Sequence, residues 1–224
     1  MILMIRGHIR ESFETKNLYE LIKELHTAFP DLKIFIHTWN IFANNISHRT
    51  ISVNDKNVDN ETIYDYFDDL KHLIENIIID DDTKINLIGN LEGKIQHLGT
   101  PLVGWKNYIY GKHRAIEDIY NKNTDKNEVI VNLRFDVMNN SISFKKNQII
   151  NFIKDNNEMI FTKNIFLFND ENHYGIDNLY IGNINTMYKL LNKFFYELDE
   201  ILIENKNIGA PEYLFYRVNN ALFE

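Results

Sequence analysis

The segment Met1–His37, MILMIRGHIRESFETKNLYELIKELHTAFPDLKIFIH, decides the fold class. Ile2 to Ile5 is an unbroken apolar run of strand length, closed by Arg6. Leu18, Leu21, Ile22, Leu25 and Phe29 then recur at the three- and four-residue spacing of a buried helical stripe. Asn17, with Glu20 three residues on, predicts the start of that helix, and Pro30 predicts its stop. Lys33-Ile-Phe-Ile-His37 is a second strand of the buried type. Strand, helix and strand in immediate succession predict an α/β fold: a mostly parallel central sheet with helices on both faces.

The alternation continues outward from there. Asn40 to Asn60 is polar and aperiodic and reads as a long loop. Ile63, Phe67, Leu70 and Ile74 mark a second helix, followed by the strand Ile77–Ile79 and then Asp80, Asp81 and Asp82. Between Lys84 and Gly104, the glycines Gly89, Gly93, Gly99 and Gly104 with Pro101 predict loop. A helix follows over Trp105–Tyr120, and the clearest strand of the chain over Glu128–Val137. Lys145–Lys154 reads as a short helix. Met159–Thr162, Ile165–Phe168 and Asp177–Gly182 read as strands. A long helix is expected over Met187–Leu202. Pro211 opens a last helix through Leu222, at the first helical position where its missing N–H costs nothing. No repeat and no Gly/Ser or Pro linker divides the chain, so residues 1–224 are expected to form a single domain.

Composition removes several function classes. The net charge of −8 opposes bulk nucleic-acid binding, which needs a basic face to replace counterions. It equally opposes docking on an anionic membrane by charge alone. No run of 18 apolar residues predicts a transmembrane helix. The apolar start has no basic region before it, so a signal peptide is not expected. Cysteine is absent, which excludes disulfides and thiolate chemistry and fits a cytoplasmic protein. The chain has 6 Arg against 18 Lys, so each Arg position weighs more as a site that needs a planar, bidentate donor.

In open α/β sheets ligands sit beyond the carboxyl ends of the strands. The residues at those ends are Arg6-Gly7-His8-Ile9-Arg10, His37-Thr38-Trp39-Asn40, Asp80-Asp81-Asp82 and Arg134-Phe135-Asp136. Rich in Arg, Asp and aromatic rings, they suit an anionic, ring-bearing ligand held directly or through a metal. Along Val129-Ile-Val-Asn-Leu-Arg-Phe-Asp-Val137, strand alternation places Asn132, Arg134 and Asp136 on one face. That trio is either a structural ion pair or a ligand site. In the second case Asp136 binds a divalent metal and Arg134 touches phosphate or sugar. Arg6 and Arg10 flank Gly7, which permits close backbone approach, and suit phosphate. His37 and Trp39 straddle a strand end, where Trp39 either packs or stacks on a ligand. Asp80–Asp82 is a solvated acidic loop or a metal site. Trp105-Lys106 packs at a helix start or reaches a ligand, and His173 beside Asp170 and Glu171 is a surface histidine or a metal ligand.

Three of these segments, Arg6-Gly-His-Ile-Arg10, Phe35-Ile-His-Thr-Trp39 and Leu133-Arg-Phe-Asp-Val137, resemble small GT-A-type glycosyltransferases of surface-glycan synthesis. In that family a similar G-x-x-R after the first strand lies at the nucleotide. The R-x-D strand end is similar to a variant of the family's D-x-D motif, which holds the metal and the donor diphosphate; Arg134 stands where the first Asp would be. Asp177-Asn-Leu-Tyr-Ile-Gly182 with Met187 resembles the segment beside the acceptor, and Pro211-Glu212 resembles the start of the C-terminal helix. The resemblance implies a GT-A-like domain whose donor-binding half is about 1–140 and whose acceptor half is about 141–224. It implies Arg6, Gly7, Arg10, His37, Trp39, Arg134 and Asp136 at the donor, with Mn or Mg on Asp136. For an inverting transfer it implies Asp177, Glu212 or His173 as general base, Asp177 being preferred. The partners implied are a nucleotide-sugar donor and a glycan acceptor. At 224 residues the chain is short for a complete enzyme of this type, which leaves room for it to be one domain of a longer protein. Two other classes compete: a non-catalytic nucleotide-sugar or glycan-binding module, and a phosphate hydrolase using Asp80–Asp82. No Walker-type loop, G-x-G-x-x-G after a strand, G-x-S-x-G or H-E-x-x-H is present.

Overall fold

A computed structural model describes residues 1–43, 56–95, 100–139, 144–157, 165–168, 178–206 and 211–223, side chains at positions 100, 211 and 212 excepted. The first apolar run is β1 (Ile2–Arg6), buried at every position. It pairs in parallel with β2 (Lys33–Trp39) on one side and with β6 (Val129–Arg134) on the other. β3 (Ile74–Asp80) adds in parallel to β2. Beyond β6 the direction reverses: β8 (Leu179–Asn183) is antiparallel to β6, and β7 (Phe166–Leu167) is antiparallel to β8. The sheet order is β3-β2-β1-β6-β8-β7, a mostly parallel α/β sheet with its one reversal next to the edge.

Side-chain alternation splits the interior into two cores. Leu3, Ile5, Ile34, Ile36, Val131, Leu133 and Ile181 face α1 (Asn17–Ala28), α2 (Asn60–Phe67) and α4 (Lys146–Asn157). Ile2, Met4, Phe35, Ile130 and Tyr180 face α3 (Leu102–Lys122), α5 (Ile184–Tyr196), α6 (Leu198–Glu204) and α7 (Pro211–Phe223). The helices thus cover both faces, as continuous apolar strands require. Among the described residues no helix is long and apolar enough to cross a membrane.

Several boundaries differ from the sequence reading for local reasons. Asn17 is the first residue of α1 rather than its side-chain cap. The second helical stripe ends at Phe67; Asp68 takes a left-handed φ of 50°, a 3₁₀ turn follows, and Ile74 joins β3. The glycine-rich stretch contains a two-stranded ribbon, β4 (Lys94–Ile95) with β5 (Thr100–Pro101), and α3 starts at Leu102. The helix expected over 187–202 breaks at Glu197. On α6, Leu198 is buried and Asp199 reaches Lys106 Nζ at 2.7 Å and the Asn90 amide at 2.7 Å, pinning the preceding loop. β8 runs straight into α5 through Asn183, whose side chain accepts from the Thr186 amide at 2.8 Å in a capping box. The strand expected over Met159–Thr162 lies outside the described residues.

α3 is laid against the carboxyl ends of β1 and β2 by one small residue. A side chain at Gly111 would place its Cβ 2.9 Å from both Cε1 and Nδ1 of His37, whose ring is fully buried. In a helix interior, glycine costs about 0.5–1 kcal/mol relative to alanine. Gly111→Ala is nonetheless expected to destabilise, by roughly 1–3 kcal/mol, because the fully buried His37 ring lies between this helix and Asp80 and would have to shift. Urea denaturation of the variant measures this, and a gain in stability would show that the helix–sheet approach is not tight.

Candidate functional site at the carboxyl edge of the sheet

The parallel register brings all four of the strand-end segments side by side. Arg6 is the partner of His37 on β2 and of Arg134 on β6, and Trp39 is the partner of Asp80 on β3. Alternation sets Arg6, His37 and Asn132 on the α3 face, so each strand carries apolar residues until its last turn of pleat and polar ones there.

Arg6 is 1% exposed. Its Nε donates to Asn132 Oδ1 at 3.1 Å and its Nη2 to the Tyr108 hydroxyl at 2.9 Å. The Tyr108 ring also meets a second buried cation. Lys112 Nζ stands 4.1 Å from its centroid and 4.4 Å from that of Phe215, with Tyr180 at 5.3 Å. Aromatic faces favour such a desolvated ammonium. Lys112 occupies the apolar stripe of α3, in step with Trp105, Ile109, Ile116 and Ile119. A lysine in that stripe was the available signal for this cluster, which sequence reading treated as helix packing alone.

Arg134 ends β6, and the chain then turns, with the Asn139 amide donating to Asp136 O at 3.0 Å. Asp136 therefore sits in a turn rather than on a strand face, yet it is still beside Arg134. Its Oδ2 accepts from Arg134 Nη2 at 2.5 Å and lies 3.6 Å from Arg10 Nη1. Its Oδ1 is buried and, among the described residues, has no hydrogen-bond partner. Arg134 Nη1 also donates to Asn178 Oδ1 at 3.0 Å. The two arginines are partly open to solvent while the carboxylate between them is nearly closed off. Arg10 has φ +52°, a left-handed conformation that costs a non-glycine residue energy and is typical of functional sites. Gly7 has φ +98° and open space where a Cβ would be, so the backbone between the two arginines lies bare.

The β2 end is aromatic. Trp39 is buried, stacked on Tyr110 at 6.0 Å, with His8 at 5.8 Å and the edge of His37 at 5.2 Å. Burial holds His37 below the ordinary histidine range, so its ring is neutral. Facing Asp80 Oδ2 at 3.2 Å, Nε2 is the donor, which leaves Nδ1 as a buried acceptor without a partner among the described residues. Asp80 is held below the usual carboxylate range by the hydrogen bond from His37, with Tyr110 and Arg114 adding to it. His37 thus stands behind Trp39 and Tyr110 rather than in the open. Asp80 and Asp81 do not converge, since Asp81 binds the Thr83 amide and Lys84. Among the described residues no three His, Asp or Glu side chains gather as a metal site. Trp105 packs on Phe194, and Lys106 is taken by Asp199 and the Ile88 carbonyl. Met187 is core.

The structure therefore brings together Arg6, Gly7, Arg10, His37, Trp39, Arg134 and Asp136. Asp177 and His173 lie outside the described residues. Glu212 lies in the first turn of α7. Comparison with family models, with curated proteins and with solved structures finds no match to this chain.

His8 makes acid a probe of this region. Burial, the largest cause, pushes its pKa down to about 4 from an ordinary 6.5. Between those values the unfolded chain takes up a proton that the folded one refuses, so stability is lost as pH falls from 6.5 towards 4. Thermal unfolding across that window should show a shallower slope in His8→Gln than in the parent; parallel slopes would mean that His8 titrates normally.

Proposed function

We propose that this chain is a GT-A-type glycosyltransferase, moving a sugar from a nucleotide-diphosphate sugar to a hydroxyl of a glycan acceptor. One observation carries the reading. In a chain of net charge −8, Arg10 and Arg134 meet at one oxygen of Asp136 at the carboxyl edge of the sheet, and the buried Arg6 ends the adjacent strand. Cations concentrated at one place against the overall charge suit a polyanion. The order of the resembling segments along the chain supports the same assignment.

The chemistry follows from the groups available. Sugar transfer must stabilise a diphosphate as it leaves. Preorganised guanidinium groups do this best where water is scarce. Arg10 and Arg134, partly open, are the groups to receive it. Arg6, wholly buried, acts from behind through the field it adds. Asp136, whose Oδ1 is buried and has no hydrogen-bond partner among the described residues, would be the residue to hold a divalent cation. When bound, Mn or Mg supplies Lewis-acid stabilisation of the departing diphosphate. Trp39, Tyr110 and His8 offer rings to the nucleoside end, and His37 fixes their positions through Asp80. Asp177 is the proposed general base of an inverting transfer, with Glu212 as the alternative on the acceptor side.

The competing binding-module reading rests on Arg134 in the place of the family's first Asp. Thermal unfolding against nucleotide sugars, with Mn²⁺, Mg²⁺ or EDTA, tests both. A ligand present at 100 times its Kd adds about 2.7 kcal/mol, a shift of several degrees in a domain this size. Expected are a shift with a particular donor, slow hydrolysis or transfer, and at least a ~10²-fold loss of turnover in Asp136→Ala. Turnover that survives Asp136→Ala would remove the central assignment. A shift without turnover in the parent would favour the module.

A further inference from the structure

We propose that Asp136 is a built-in competing anion: it pairs with Arg134 and stands beside Arg10, and an incoming diphosphate must displace it. This inference rests on the reading that those two arginines receive phosphate.

The geometry argues for a placeholder rather than a finished ion pair. Arginine–carboxylate pairs are frequently bidentate, with both oxygens meeting the fork. Here both guanidinium groups face the same oxygen, Oδ2, at 2.5 Å and 3.6 Å. The other, Oδ1, is buried and has no hydrogen-bond partner among the described residues. Such half-satisfaction of a buried charged group is costly. The arginines are meanwhile the more exposed members of the trio, so a solute meets them first. Arg10 reaches the carboxylate from a backbone in the left-handed region, and next to it Gly7 leaves open space. A diphosphate brings more oxygens than Asp136 offers, enough to satisfy two forks separately. A singly charged carboxylate or sugar acid brings no more than Asp136 already supplies. Asp136 therefore sets a charge threshold: the site rejects simple anions and yields to a polyanion.

In the absence of metal, removing the competitor should tighten binding, the opposite of what a carboxylate that helps to hold the anion would show; once displaced from the arginines, Asp136 is free to take the metal of the proposed reaction. The test is isothermal titration of inorganic pyrophosphate into the full chain in EDTA, so that no metal bridges the two. Asp136→Asn keeps the shape and removes the charge. We expect its affinity for pyrophosphate to rise roughly tenfold over the parent, as expected when a close competing charge is removed. Asp136→Ser carries the same expectation and guards against a folding defect peculiar to the amide. Unchanged or weaker binding in folded variants would overturn the proposal. Arg134→Gln in the same titration separates the two levels of the argument. Lost binding there, with no gain in Asp136→Asn, leaves the phosphate site standing and refutes the competition. Unaltered binding in Arg134→Gln refutes the phosphate site itself and the proposal with it.

Discussion

The burial of the Arg6 guanidinium at the end of β1 is the constraint on which the surrounding structure depends. A charge removed from water must be met by hydrogen bonds and compensating groups, or the fold loses several kcal/mol. Arg6 is met from two directions, by Asn132 on the neighbouring strand and by Tyr108 on the covering helix. That requirement ties β6 and α3 to one place on β1. It explains why a fully buried asparagine stands in β6, and why the helix presents a tyrosine where a leucine stripe would pack more simply.

The same layer organises β2. His37 stands at the level of Arg6, and Gly111 gives it room under α3. Its neutral ring takes its hydrogen bond to Asp80, and Asp80 in turn gathers Tyr110 and Arg114. Packing and polar pairing are thus linked at this edge: the helix comes close because a side chain is missing, and it covers Arg6 and His37, whose hydrogen bonds run to neighbouring strands. Farther out, Asp136 Oδ2 meets Arg134 and Arg10, while its Oδ1 has no hydrogen-bond partner among the described residues. Backbone strain is added there by the left-handed φ of Arg10.

Much of this was legible in the chain itself. The apolar runs at Ile2–Ile5 and Lys33–His37, with a helical stripe between them, are enough for a parallel sheet covered on both faces, since period and length follow from local geometry. The polar groups that end those runs stood out for the same reason. Arg134 and Asp136 could be paired by spacing because they are two residues apart, although the pairing is made by a turn and not by strand alternation. Less legible were the partners supplied by α3. Tyr108, Tyr110, Lys112 and Arg114 read as one face or another of a helix, and helical spacing says nothing about which strand end a face will cover. The antiparallel course of β8 and the break at Glu197 were hidden too, because both are decided by what the segments pack against.

The sequence by itself determined the periodicities, the positions where apolar strands give way to charge, and the single small residue at 111, because these are properties of neighbours along the chain. Only the tertiary structure decided that Arg6 meets Tyr108 and Asn132, that His37 faces Asp80, and that two arginines converge on one oxygen of Asp136. Residues separated by tens of positions become neighbours through strand register and helix placement. Those depend on how two cores close around a sheet, a property of the whole chain that no local spacing encodes.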